Sequence, residues 1–155
     1  MRLPYDKLAP EGVKALGSVY AYVLRCGLEK PLIDLVYLRA SQLNGCAFCI
    51  DEHTHDLIRE GASAEKLMLV SAWREAGDYF TTRERAALAW AEVVTWIADS
   101  HAPDEAFLAA QAEFSDKEMA DLTISIGLIN AYNRLAISFR RGPSSLAKLS
   151  VLQRD

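Results

Sequence analysis

Apolar side chains recur along most of this chain at intervals of three and four residues, the spacing that predicts amphipathic α-helices. Helix caps and helix breakers divide the pattern into separate segments. The segments predicted to be helical are residues 11–26, 31–43, 46–60, 63–77, 82–99 and 116–139, with a further short helix that starts near residue 103. The sequence therefore predicts an all-α, single-domain bundle of six to seven helices that spans residues 1–155.

Two capping boxes open the longest predicted helices. Thr81 is followed three residues later by Glu84, and Ser115 is followed in the same way by Glu118. In this pattern the hydroxyl accepts a backbone N–H of the first turn, while the acid bonds back to the N–H of the capping residue. Residues 122–129 also show some strand-like alternation, but the cap and the flanking helix formers favour a helix there.

Composition and charge narrow the classes of function. The chain is 51% hydrophobic and 25% charged, as in an ordinary globular domain. Its 21 acidic and 17 basic side chains give a net charge of −4, which offers no general attraction to nucleic acid or to an anionic membrane surface. No run approaches the roughly 20 apolar residues of a membrane-spanning helix, and the first residues lack the apolar core of a secretory signal. We therefore expect a cytoplasmic protein with no nucleic-acid or membrane partner.

The segment with the clearest chemistry contains two of the three cysteines. Cys46 and Cys49 form a C-x-x-C pair at the predicted start of a helix, and His53 follows one turn later on the same face. Unpaired backbone N–H groups and the helix dipole at such a start stabilise a thiolate. In a reducing compartment this pair indicates redox or metal chemistry rather than a structural disulfide. An imidazole beside the sulfurs is suited to moving their protons near neutral pH.

Asp34 lies on the preceding predicted helix. If the two helices pack as a hairpin, its carboxylate can reach His53 or a cysteine and complete a proton relay. The alternative for Asp34 is an ordinary acid of a first helical turn, or a partner of Arg39.

The cysteines also have two alternative interpretations. They can be buried thiols that act as small hydrophobic side chains. They can also bind zinc together with His53 and a fourth ligand, although the sequence holds no second C-x-x-C or H-x-x-x-H pair to supply one.

The run from Leu38 to His53, LRASQLNGCAFCIDEH, resembles the alkyl hydroperoxidase D and carboxymuconolactone decarboxylase superfamily. The redox-active branch of that family carries an acid, eleven residues, C-x-x-C, three residues and then His. Residues 129–136, INAYNRLA, are similar to the helix that packs beside the active site in these proteins. The likeness covers about residues 30–140, and it implies an all-α bundle that associates as a trimer or hexamer.

The resemblance also implies an activity, the thiol-dependent reduction of hydroperoxides. By this resemblance Cys49 attacks the peroxide, Cys46 is the resolving thiol and His53 is the adjacent base. Asp34 takes the place of a glutamate and is one methylene shorter, and Phe48 stands where the namesake enzyme has a histidine. No bound cofactor or metal is expected. We do expect an external thiol reductant, which in the family can be a lipoylated protein.

Two other functions stay open at this stage. One is a small-molecule lyase of the carboxymuconolactone decarboxylase type, a branch that generally lacks the C-x-x-C pair. The other is a non-enzymatic redox sensor, in which a disulfide changes the association of subunits without turnover.

Overall fold

The computed structural model describes residues 1–146, which fold into a bundle of nine α-helices without a strand. The helices are α1 (Tyr5–Leu8), α2 (Pro10–Val23), α3 (Lys30–Asn44), α4 (Ala47–Arg59), α5 (Ala64–Leu69), α6 (Thr82–Thr95), α7 (Ile97–Ser100), α8 (Asp104–Gln111) and α9 (Asp116–Ser138). Two 3₁₀ segments, Val70–Glu75 and Gly77–Tyr79, connect α5 to α6.

Helix α3 is the centre of the bundle. Every residue from Leu32 to Leu38 is buried, so this helix is covered on all its faces. It packs against α4, α6 and α9, and α2 also packs against α9. A helix that is apolar around its whole circumference is stable in water only when neighbours surround it. The near-continuous apolar run in α3 therefore accounts for its central position.

A buried carboxylate ties α6 to its neighbours. Glu92 of α6 accepts hydrogen bonds from Arg39 of α3 and from the indole of Trp73, both at 2.8 Å, and it also pairs with Arg74. Burial by itself would raise the pKa of Glu92, but these hydrogen bonds outweigh burial and hold the pKa below its ordinary value. Glu92 is therefore a satisfied buried anion and joins three elements of the fold.

The predicted all-α bundle is confirmed, but it has more helices than the six to seven expected. The predicted helix over 82–99 breaks at Trp96, whose backbone is non-helical (φ −101°, ψ 39°), and continues as the short α7. The predicted helix over 63–77 changes to 3₁₀ geometry after Leu69, with a kink at Ala72. Helix α1 is a single turn that the periodicity does not reveal. Within residues 1–146, no helix has the length and apolar character needed to cross a bilayer.

Replacing Ser115 with Ala is expected to lower the free energy of unfolding by about 1 kcal/mol. The Ser115 hydroxyl caps the longest helix by accepting the N–H of Glu118, and both halves of the capping box are formed. Ser18→Ala is the matched control, because Ser18 is exposed in the middle of α2 and bonds only to a carbonyl of its own helix. Chemical denaturation followed by circular dichroism measures both variants. Equal losses in the two would contradict the capping role.

Candidate active site

The cysteine pair lies where α3 turns into α4. Helix α3 ends at Asn44, and Gly45 takes a left-handed conformation (φ 71°) that other residues adopt only at a cost. This turn puts Cys46 at the N-cap of α4, where its Sγ accepts the backbone N–H of Cys49 at 3.4 Å. Cys46 therefore fills a position that Ser, Thr or Asp usually takes.

The two thiols hold their protons with unequal strength. A hydrogen bond from the Cys49 thiol lowers the pKa of Cys46 to about 7 against the effect of burial, and backbone N–H groups add to this. The same hydrogen bond, together with burial, raises the pKa of Cys49 well above its ordinary value. The first negative charge of the pair therefore forms on Cys46 near neutral pH, while Cys49 keeps its proton.

A buried polar network from α9 lies beside the two sulfurs. Asn133 is fully buried, donates to the hydroxyl of Ser41 at 3.0 Å and accepts from the amide of Asn44 at 2.9 Å. The same Asn44 amide donates to Asn130 at 2.9 Å. Hydrogen bonding by Asn133 favours the charged form of both thiols and so opposes the effect of burial. The second sequence motif thus supplies polar support to the cysteine pair.

Asp34 of α3 contacts His53 of α4 directly. Its Oδ1 lies 3.1 Å from Nδ1 of His53, and its Oδ2 accepts from the ammonium of Lys30 at 2.6 Å. Burial alone would raise the pKa of this carboxyl, which is 1% exposed, but the hydrogen bonds from His53 and Lys30 hold the pKa below its ordinary value. Asp34 is therefore a carboxylate at neutral pH, and it reaches His53 although its side chain is one methylene shorter than that of a glutamate.

These contacts fix the tautomer and the orientation of the His53 ring. Because Asp34 is a carboxylate, Nδ1 of His53 carries a proton and donates a hydrogen bond to Asp34. This leaves Nε2 of the neutral ring as the acceptor. The ring of Tyr37 packs edge-on against the imidazole, with centroids 4.9 Å apart. His53 can therefore take up and return a proton at Nε2 while it stays bonded to Asp34.

A cavity of about 270 Å³ opens onto this site. Of the two cysteines, Cys49 lies in the cavity wall, together with His53. Most of the remaining wall is aliphatic or aromatic, with four tyrosines, Tyr5, Tyr20, Tyr37 and Tyr132. Because Cys49 is only 3% exposed, the route by which an organic molecule meets its sulfur is this cavity.

The described residues contain one cluster with metal-binding geometry, formed by Asp34, His53 and Asp56, whose ligand atoms lie within 4.8 Å of one another. Cys46 and Cys49 are not part of this cluster. The contact between Asp34 and His53 already accounts for the cluster as a hydrogen-bonded pair.

The structure places the predicted site residues in two adjoining contacts. Cys46 and Cys49 are hydrogen-bonded to each other, and Asp34 is bonded to His53 across the hairpin. The alternative partner of Asp34 does not apply, since Arg39 pairs with Glu92 instead.

Sequence reasoning missed three residues that bear on the site. Lys30, four residues before Asp34, had a usable signal in its helical spacing. Glu52 of α4 and Arg141, which follows α9, both lie in the cavity wall. No local sequence pattern indicates that Arg141 contacts Phe48 of α4.

The carboxymuconolactone decarboxylase family model matches residues 10–93, which is more than half of the chain. The chain belongs to the carboxymuconolactone decarboxylase family. The matched range contains Asp34, both site cysteines and His53, so the resemblance noted from the first motif is confirmed. The second motif, residues 129–136, lies outside the matched range.

Three known proteins are similar to this chain: two in sequence and one in fold alone. ATU0492 from Agrobacterium tumefaciens, a protein of unknown function named as a candidate antioxidant defence protein AhpD, superposes with a TM-score of 0.88 at 44% identity over 92% of this chain and 97% of its own. The uncharacterized protein YdfG of Bacillus subtilis (strain 168) is 34% identical over 137 residues, 88% of this chain and 92% of YdfG. The debrominase Bmp8 shares the fold, with a TM-score of 0.77 at 16% identity over 96% of this chain and 79% of Bmp8.

Raising the pH of the reduced protein is expected to form one thiolate with a midpoint near pH 7, because the low pKa belongs to Cys46. Both thiols are protonated below this midpoint, and the charge appears as the pH rises through it. Thiolate absorbance at 240 nm measures the transition. Cys46→Ser should lose this step and Cys26→Ser should keep it. A midpoint at about 8.5, the ordinary value for cysteine, would argue against the proposed charge distribution.

Proposed function

We propose that this protein is a thiol-dependent peroxidase that reduces organic hydroperoxides through Cys46 and Cys49 and is regenerated by an external dithiol. The observation that carries the proposal is the presence of Cys49 and His53 in the wall of one largely apolar cavity, with Cys46 hydrogen-bonded to Cys49. The name given to the Agrobacterium tumefaciens relative, at 44% identity, supports the same class of activity.

Access makes Cys49 the attacking thiol. Its sulfur meets the cavity, whereas the resting charge is on Cys46 at the start of α4. A proton shift along the hydrogen bond between the two sulfurs transfers the charge to Cys49, the sulfur that a bound peroxide touches. Cys46 thus carries the thiolate in the resting protein, and Cys49 carries it when a peroxide is bound.

The oxidative half-reaction consumes both thiols. The Cys49 thiolate attacks the terminal oxygen of the hydroperoxide, so that an S–O bond forms and the O–O bond breaks. The departing alkoxide takes a proton from solvent by way of His53 and leaves as the alcohol. Cys46 then attacks the sulfenic sulfur and gives its proton to His53, and the displaced hydroxide leaves with that proton as water.

The reductive half-reaction restores the pair. An external dithiol attacks the disulfide, and exchange through a mixed disulfide returns two electrons and two protons to the cysteines. Asp34 supports both halves as a positioning residue, because it holds the His53 ring and stabilises the imidazolium that forms when Nε2 takes a proton.

Cys49→Ser is expected to abolish peroxide turnover and to leave the helical circular dichroism spectrum unchanged. Cys46→Ser should still react once with cumene hydroperoxide and stop at the sulfenic acid, because the resolving thiol is missing. Cys26→Ser is the matched control, since Cys26 is only partly buried and is not among the residues that line the cavity. Titration of free thiols before and after one equivalent of peroxide measures how many thiols each protein loses.

Loss of two thiols in the parent protein and in Cys26→Ser, but not in the Cys46 and Cys49 variants, supports the cycle if a dithiol reverses it. Unchanged turnover in Cys49→Ser would sink the proposed roles. Activity that survives removal of both Cys46 and Cys49 would favour the lyase alternative. A change of subunit association on oxidation without turnover would favour the redox sensor.

Asp34→Asn is expected to lower kcat/KM for cumene hydroperoxide by about tenfold or more, because the neutral amide no longer fixes the tautomer of His53 or stabilises its charged form. Asp51→Asn is the matched control on α4, where Asp51 accepts the backbone N–H of Ser145 and pairs with His55 instead. Steady-state kinetics with a dithiol in excess measures both. Equal rates in Asp34→Asn and the parent protein would remove Asp34 from the relay.

A further inference from the structure

Arg141 follows the last turn of α9 and reaches back over Phe48 of α4. Its guanidinium carbon lies 4.1 Å from the centroid of the Phe48 ring, and its Nη1 donates to the hydroxyl of Tyr5 at 3.1 Å. All three side chains line the cavity that contains Cys49. Stacking on one ring and a hydrogen bond to another hold the planar guanidinium in the cavity wall.

The backbone that delivers Arg141 to this place is strained. Arg140 takes the left-handed conformation (φ 56°), which is costly for any residue other than glycine. The N–H of Arg141 bonds to the carbonyl of Ala136 at 2.9 Å, and that of Arg140 to the carbonyl of Ile137 at 3.2 Å. These two bonds form a Schellman ending, in which glycine usually takes the left-handed position. The reversal they make carries Arg141 back over the cavity.

The guanidinium of Arg141 has N–H donors that form no hydrogen bond to residues 1–146. Over residues 1–146 it forms no salt bridge, and its side-chain hydrogen bond is the one to Tyr5. The cavity wall also contains two acids. Asp56 is paired with Arg59, and Glu52 lies one helical turn from Phe48. Arg141 is thus a cation at the wall of a mainly apolar cavity, and its fork of N–H donors matches a carboxylate.

On the basis of the proposed peroxidase function, we propose that the cavity selects organic hydroperoxides whose apolar body carries a carboxylate, and that Arg141 recognises this group. The peroxide end lies at Cys49 and His53, the apolar body between the tyrosine rings, and the carboxylate at the guanidinium. Hydrogen peroxide uses neither the apolar wall nor the cation. The cavity volume of about 270 Å³ holds a substituted benzene ring.

Binding of two unreactive probes tests this assignment separately from turnover. The probes are 4-isopropylbenzoate and 4-isopropylbenzamide, which share one shape and differ in charge, and calorimetric titration at low salt measures their affinity for the full chain. The parent protein is expected to bind the benzoate about threefold to tenfold more tightly, since a partly exposed guanidinium–carboxylate pair contributes modestly. Arg141→Gln should abolish this preference, and Arg141→Lys should retain part of it.

Two further variants sharpen the test. Glu52→Gln should increase the preference for the benzoate, because it removes a negative charge from the cavity wall. Arg140→Gly should keep the preference and raise the melting temperature, because it relieves the left-handed strain and leaves Arg141 in place. Added salt should weaken the preference of the parent protein.

Turnover supplies the second readout. Arg141→Gln should raise KM for a cumene hydroperoxide that carries a para carboxylate by a larger factor than it changes KM for cumene hydroperoxide itself. Equal binding of the two probes by the parent protein, or a preference that survives Arg141→Gln, would overturn the assignment. A preference for the benzoate that depends on Arg141 in a protein without peroxide turnover would uphold the assignment and refute the proposed peroxidase function instead.

Discussion

The left-handed turn at Gly45 is the constraint on which the site depends. Because α3 ends at Asn44 and α4 begins at Ala47, the two helices fold back on each other as a hairpin. The same turn places Cys46 at the start of α4, where backbone N–H groups have no partner within the helix. The hydrogen bond between Asp34 and His53 crosses this hairpin and links the first part of α3 to the middle of α4. One backbone conformation thus sets both the position of Cys46 at the start of α4 and the contact between Asp34 and His53 across the hairpin.

The two cysteines differ in pKa and in access to the cavity. The hydrogen bond from the Cys49 thiol, aided by backbone N–H groups at the start of α4, lowers the pKa of Cys46. Cavity access follows the helical face instead, and residues four apart on α4, such as Cys49 and His53, share one face. The lowered pKa and the access to the cavity therefore fall on different residues of one turn.

Helix α9 completes the site from outside the hairpin. Its buried Asn133 donates to Ser41 and accepts from Asn44, so that a polar group in the core is satisfied rather than left unpaired. Past its C-terminal end, Arg141 closes over Phe48. The specificity that we propose therefore comes from an element different from the one that carries the thiols.

The sequence by itself determined the helical class, both capping boxes and the shared helical face of Cys49 and His53, since these depend on spacings within one helix. It also placed Asp34 on the facing helix, although whether the shorter carboxylate would reach His53 was decided only by the packing of α3 against α4. The break at Trp96, the cavity, and the contacts of Arg141 with Phe48 and Tyr5 came only from the tertiary structure. The cavity and the contacts of Arg141 join residues far apart in sequence, and their free energy depends on side-chain packing that no local pattern encodes.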